Sequence, residues 1–168
     1  MCALPGILVS KFIESVSVEQ IQPAGIDLTL ERVFVFCGRG AIRRSGVELP
    51  HCEEVEPRGG IYVLEPGVYK IRFREVVSIP EDCVGIAFPR SSLLRMGASI
   101  NLAVWDPGYV GRGEAMLLVL NPNGIEIEVG ARVAQLVLIK LVEKPHKLYR
   151  GRYYGENVGE EGASSLPR

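Results

Sequence analysis

The strongest constraint on the fold of this chain is a succession of short apolar runs, each about as long as one strand and each closed by glycine, proline or asparagine. Ile61-Tyr62-Val63-Leu64 and Tyr69-Lys70-Ile71-Arg72-Phe73 flank Glu65-Pro66-Gly67, which reads as strand, turn and alternating strand. Asn121-Pro122-Asn123-Gly124 is a second strong turn, set between apolar residues 115–120 and 125–129. Residues 33–37, 76–79, 84–88, 99–104 and 136–141 add further strands. Ile26, Leu28 and Leu30 alternate with Asp27 and Thr29, which predicts a strand with Asp27 turned away from the apolar face. Helical stretches are expected only at 10–15 and 91–97, and residues 43–60 read as a surface insertion or hairpin. The expected fold class is all-β with one or two short helices.

A chain of 168 residues can bury one core. With 19 basic against 20 acidic residues it has no global field that would favour a nucleic-acid polymer or an anionic membrane, so any polyanion site must be local. No apolar run approaches the ~20 residues of a membrane span. The first residues, Met1-Cys2-Ala3-Leu4-Pro5-Gly6, lack the basic start of a secretion signal, so a cytoplasmic location is expected. Cys2, Cys37, Cys52 and Cys83 are scattered, with no C-x-x-C and no Cys-His pairing at zinc spacing; free, buried thiols are expected.

Two chemistries lie within residues 80–111. Pro89-Arg90-Ser91-Ser92 offers a guanidinium, two hydroxyls and backbone N–H groups, which suit a phosphate chain. Trp105-Asp106-Pro107-Gly108-Tyr109 puts a carboxylate on a sharp turn and follows it with a ring. On local chemistry alone two readings stand: a nucleotide site, or a surface arginine, a serine helix cap and an ordinary turn. Beyond residue 142 hydrophobicity falls. Arg150-Gly151-Arg152-Tyr153-Tyr154-Gly155, with Gly159, Gly162, Ser164 and Ser165 after it, reads either as a disordered terminus or as a lid that orders over an anionic ligand.

The ordered series QPAGIDLTL, PRSSLLRMG, AVWDPGYVGRGE, GARVAQL and RYYG resembles the dUTPase and dCTP deaminase superfamily, most closely archaeal-type dUTPases. The resemblance covers residues 22–155. It implies a distorted, jelly-roll-like β-barrel over 1–147, a flexible C-terminal arm over 148–168 that closes the site, and a homotrimer with interfacial active sites for a magnesium-bound deoxynucleoside triphosphate. Carried over by motif, it places Asp27 near the water shell of Mg2+, Arg90, Ser91 and Ser92 on the phosphates, and Gln135 near them. Asp106 would meet the 3′-hydroxyl and the attacking water. Tyr109 would pack beneath the sugar, where a 2′-hydroxyl clashes, and Asn101 would lie on the hairpin that reads the base edge. Arg152 and Tyr153 are the arm residues expected to close over the nucleotide.

The activity implied is hydrolysis of dUTP to dUMP and pyrophosphate. Its rival within the superfamily is deamination of dCTP, alone or together with hydrolysis. Ser92 favours the rival, because typical dUTPases have glycine there. Against it, the deaminase's catalytic glutamate falls on Met116 or Leu118, according to the end from which one counts. Glu114 could substitute only if a bulge at Arg112-Gly113 shifted the register. The zinc-deaminase pattern is absent. A trimer that binds nucleotide without turnover is the third reading, and the intact Asp106 argues against it.

Overall fold

The computed structural model describes residues 2–158. The chain is mostly β and its strands pair antiparallel in a curled sheet. The main path runs Cys2–Ala3, Arg132–Lys140, Gly25–Phe36, Gly67–Phe73, Glu114–Val119, Ala98–Asn101, with Cys83–Pro89 on the other edge of Arg132–Lys140. Gly25–Phe36 is one strand where the sequence suggested two. Its first half pairs with Arg132–Lys140 and its second with Gly67–Phe73, and a register shift between Leu30 and Arg32 marks the change of partner. Such a bulge bends a strand and increases its twist. One long segment thereby curls the sheet.

The core lies inside that curl. Ile26, Leu28, Leu30 and Val33 of the long strand are fully buried, and they meet Ile71, Phe73, Leu117, Leu136 and Leu138 from the neighbouring strands. Ile71 and Phe73 follow the alternation read from the sequence, while Leu117, Leu136 and Leu138 come from runs read as apolar throughout. The opposite face of Gly25–Phe36 was expected to be polar and outward. It is polar but covered: Asp27 is 1% exposed and Thr29 7% exposed. Over Thr29 sits Glu75, whose Oε1 accepts from Thr29 Oγ1 at 2.6 Å and from Gln20 Nε2 at 2.7 Å, while its Oε2 accepts from the Thr29 amide at 2.9 Å. A buried carboxylate is tolerable only when its lone pairs are met in this way.

The helices are short, as expected. Gly6–Val9 and a 3-10 turn, Ser10–Phe12, start earlier than the sequence suggested, because the Pro5 carbonyl accepts from Leu8 and Val9. Ser91–Arg95 falls where the helix was read. The strand Ala98–Asn101 stops short of residue 104, since Trp105 swings across to exchange backbone hydrogen bonds with Gly85 at 2.9 and 3.0 Å. The hairpin Ala41–Arg43 with Gly46–Glu48 begins just before the 43–60 excursion and runs into it, and Cys52–Glu54 then pairs onto Phe34, Val35 and Phe36. Among the described residues no helix is long and apolar enough to cross a membrane.

All four cysteines are free, but only Cys83 is buried; Cys2 and Cys37 are exposed. The expectation of buried thiols fails for those two because both lie at solvent-facing strand ends. Burial, with the Asp82 carboxylate beside it, pushes the Cys83 thiol up to about 11. Thiol titration of the native protein at neutral pH is therefore expected to modify Cys2 and Cys37 quickly and leave Cys83 untouched until the chain is unfolded, which peptide mapping of the labelled sites would check.

Candidate active site

The first group of functional side chains gathers on Asp27. Its Oδ2 lies 3.0 Å from Arg90 Nε and 3.4 Å from Arg132 Nη1. Arg90 arrives from the end of Cys83–Pro89, anchored by its amide on the Val133 carbonyl at 3.0 Å. Gln135 stands directly across from Asp27 in the ladder. In a regular strand residues 132 and 135 would point to opposite faces. A bulge between Arg132 and Ala134 returns Arg132 to the side of Asp27. Burial pushes the Asp27 carboxyl up, and the two guanidinium groups pull it back. Ser91 and Ser92, at the start of the short helix, are exposed beside this cluster.

Asp27 is thus committed to arginines. Among the described residues no group of three or more His, Cys, Asp or Glu side chains could hold a metal ion. Asp27 Oδ2 is already shared by two guanidinium groups, which does not fit direct ligation of Mg2+ by that oxygen.

A second group surrounds a cavity of about 300 Å³. Asp106, Tyr109, Glu114, Tyr153 and Glu156 line it together with apolar Phe36, Leu49 and Pro50. The 43–60 excursion therefore reaches the site. Tyr109, 3% exposed, stacks on Trp105 (6.0 Å, 18°) and meets the tilted ring of Tyr149 (5.9 Å, 58°). Its hydroxyl donates to Glu156 Oε1 at 2.6 Å. Burial and that bond hold the phenol far above its ordinary range, and burial pushes the Glu156 carboxyl up. Glu114 is held by Lys70 at 2.9 Å and Arg72 at 3.3 Å. Asp106 is exposed and also borders a larger cleft of about 620 Å³ edged by His146, Lys147 and Arg150. The carboxylate stands where an apolar hole meets a basic groove.

The structure thus sorts the residues singled out in the sequence into two sets. Asp27, Arg90 and Gln135 share one, with Ser91 and Ser92 at its edge; Asp106, Tyr109 and Tyr153 share the other. Trp105 is tied to Gly85, and Arg90 lies five residues further along, roughly 16 Å at ~3.3 Å per residue. Asn101 is exposed at a strand end opposite Met116 and does not line the cavity. Arg152 donates to the Val47 carbonyl at 3.2 Å instead of entering the cavity. Met116 and Leu118 follow Glu114 in unbroken register from Arg72 to Gly67, and Glu114 itself lines the cavity; the register shifts just before it, where Gly111 pairs with Val77.

Arg132 and Glu156 were not singled out. Arg132 stood within GARVAQL, but only the bulge brings it to Asp27. Glu156 lies one residue past the last quoted motif and is placed by backbone bonds: Gly155 donates to the Val110 carbonyl at 2.8 Å and Arg112 to the Glu156 carbonyl at 3.0 Å. Residues 159–168, which include Gly159, Gly162, Ser164 and Ser165 of the expected arm, lie outside the described part.

Residues 7–141 match the protein family described as dCTP deaminase-like. A protein of Aeropyrum pernix, named probable deoxyuridine 5'-triphosphate nucleotidohydrolase, is 48% identical over 138 residues, 82% of this chain and 87% of its own. One of Archaeoglobus fulgidus with the same name is 48% identical over 141 residues, 83% of each chain. Among solved structures, the 2'-deoxycytidine 5'-triphosphate deaminase of Agrobacterium tumefaciens gives a TM-score of 0.59 at 19% identity over 79% of this chain, which spans 44% of that protein. A mutant dUTPase of S. aureus phage phi11, solved with details of a structural Mg(II) ion, gives 0.50 at 18% identity over 84% of this chain and 97% of that one. At these identities the likeness to the solved structures is one of fold.

Gly113 lies flat against the Trp105 indole, and a Cβ there would run into the ring. Gly113→Ala is expected to displace Trp105 from beneath Tyr109 at a cost of about 1–3 kcal/mol. Since Trp105 is the chain's one tryptophan, a red-shifted emission and a lowered urea midpoint would report it; an unchanged spectrum would mean that the ring is not confined there.

Proposed function

This chain belongs to the dCTP deaminase-like family, and we propose that it hydrolyses dUTP to dUMP and pyrophosphate, as the names of its relatives from Aeropyrum and Archaeoglobus suggest for those proteins. The observation that carries this reading is the cavity shared by Asp106 and Tyr109, beside a strand whose next outward residues after Glu114 are Met116 and Leu118. Asp106 supplies a carboxylate at the mouth of a hole sized for a nucleoside. The deaminase position offers no proton carrier.

In this mechanism the nucleoside enters the apolar cavity, with Tyr109 beneath the sugar and Tyr153 of the arm against it. Asp106 accepts a proton from a water that attacks the α-phosphorus. The new oxygen–phosphorus bond forms as the bond to the bridging α–β oxygen breaks, and pyrophosphate leaves with the electron pair. Arg90, with Ser91, Ser92 and Gln135, offsets the charge that grows on the phosphates. Asp27 keeps Arg90 extended towards them. Mg2+ travels on the triphosphate as part of the substrate, neutralising phosphate charge and keeping most of its waters, as suits this ion. Asn101 is assigned to the base-reading hairpin and Arg152 to the closing arm.

Two features support a homotrimer with sites built between subunits. The roughly 16 Å between the Gly85–Trp105 bridge and Arg90 separates base from phosphate anchor within one chain. Apolar side chains also stand exposed on either side of Arg90 in the chain, Phe88 at 58% and Leu94 at 54%, with Leu120, 71% exposed, bonded to Gly97 just past the short helix. Such a patch fits a partner surface. Residues 1–147 form the barrel and 148–168 the arm of a cytoplasmic enzyme that limits uracil in DNA and supplies dUMP for thymidylate synthesis.

Incubation with Mg2+ and either dUTP or dCTP, with nucleotides, pyrophosphate and ammonia resolved, is expected to yield dUMP and pyrophosphate from dUTP and no ammonia from dCTP. Ammonia from dCTP would overturn the assignment and direct attention to Glu114. Silence with both would favour a binding protein. Asp106→Asn should lower kcat by about 10³-fold with KM little changed. In subunit-exchange experiments, Asp106→Asn mixed with Arg90→Ala should regain activity that neither variant has, because some interfaces then hold both native side chains; no recovery would place each whole site inside one subunit.

A further inference from the structure

The Tyr109 ring stacks on Trp105 and stands tilted at 58° to Tyr149, and its hydroxyl is bonded to Glu156. That carboxylate is not a neighbour in the barrel. It arrives on the C-terminal arm, delivered in fixed register by Gly155 N to Val110 O, Arg112 N to Glu156 O and Asn157 Nδ2 to Arg112 O, at 2.8, 3.0 and 3.0 Å. Gly111 leaves the space for it: a Cβ there would lie 2.7 Å from the Tyr109 hydroxyl and 3.2 Å from Glu156 Cγ. The contact is walled in and aimed.

We propose that Glu156 is a specificity-determining positioning residue, which fixes the Tyr109 ring as a rigid wall against the 2′-hydroxyl of a ribonucleotide, so that the selection of deoxyribose is completed by the docked arm. The inference rests on the reading of Tyr109 as the ring beneath the sugar. Excluding one oxygen atom by contact requires a wall that does not yield. A displacement of ~1 Å is enough to undo such geometry. With its hydroxyl unanchored, the ring can tilt against Trp105 and admit the extra oxygen. The arm then contributes to substrate choice as well as to closure.

The test is the ratio of kcat/KM for dUTP to that for UTP in the full-length protein. Glu156→Leu removes the acceptor and Tyr109→Phe removes the donor while keeping the ring; each is expected to lower the ratio by about tenfold. Glu156→Gln retains an oxygen acceptor and should keep the ratio within about twofold. The double variant Glu156→Leu with Tyr109→Phe should be no worse than either single one, since both remove the same bond. Thermal unfolding without nucleotide identifies any variant whose fold is lost, and Tyr109→Phe then carries the test from the barrel side.

If Tyr109→Ala collapses the ratio while Glu156→Leu and Tyr109→Phe leave it unchanged, the role of Glu156 is overturned and Tyr109 keeps its own. An equal loss in Glu156→Gln and Glu156→Leu would also overturn it. If Tyr109→Ala itself leaves the ratio unchanged, the assignment of Tyr109 falls and the inference falls with it.

Discussion

Two guanidinium groups converge on one buried carboxylate, Asp27, and much of the molecule is arranged so that this can happen. A carboxylate 1% exposed would be prohibitive alone and is tolerated because Arg90 and Arg132 reach the same oxygen from neighbouring strands. To bring them there, Cys83–Pro89 and Gly25–Phe36 must flank Arg132–Lys140, and that strand must carry a bulge. The ion cluster therefore ties together the strands that form the floor of the barrel. It also leaves the Arg90 guanidinium partly exposed, held by Asp27 and by the Arg132 carbonyl.

The strand pattern was legible because apolar alternation and turn residues are local. Ile61–Leu64, Gly67–Phe73 and Ile125–Glu128 sit where period two and the Pro-Gly and Asn-Gly turns put them. Less legible was what covers a polar face. Asp27 and Thr29 alternate with isoleucine and leucines as any solvent-facing pair would, and only chain crossings far away in sequence, Glu75 above Thr29 and Arg132 beside Asp27, decide that they are buried. Bulges are likewise invisible in the residues that carry them. Arg132 and Gln135 would face opposite ways in a regular strand, and the register shift puts them on one side.

The candidate site shows the same division. Arg90, Asp106 and Tyr109 stand in recognisable motifs, so their chemistry could be named in advance. Their grouping could not. The structure puts the carboxylate and ring in a cavity and the guanidinium about a strand's length away, a separation that follows from pairing Trp105 with Gly85 and not with the end of that strand. Glu156 belongs to no motif, because its position depends on how the arm pairs with residues 110–112. Glu114 lies at the cavity, paired with Lys70 and Arg72.

Leu49 and Pro50 reach the cavity wall from just beyond the hairpin Ala41–Arg43 with Gly46–Glu48, whose two strands pair only with each other. No ladder of the main sheet depends on that hairpin's length, so it behaves as an exchangeable cassette. A descendant of this protein could lengthen, shorten or resurface it and so remodel the space offered to a base while the barrel and its ion cluster stay as they are. Diversity in what such a pocket accepts would then be written in a peripheral loop, and the interior would say little about it.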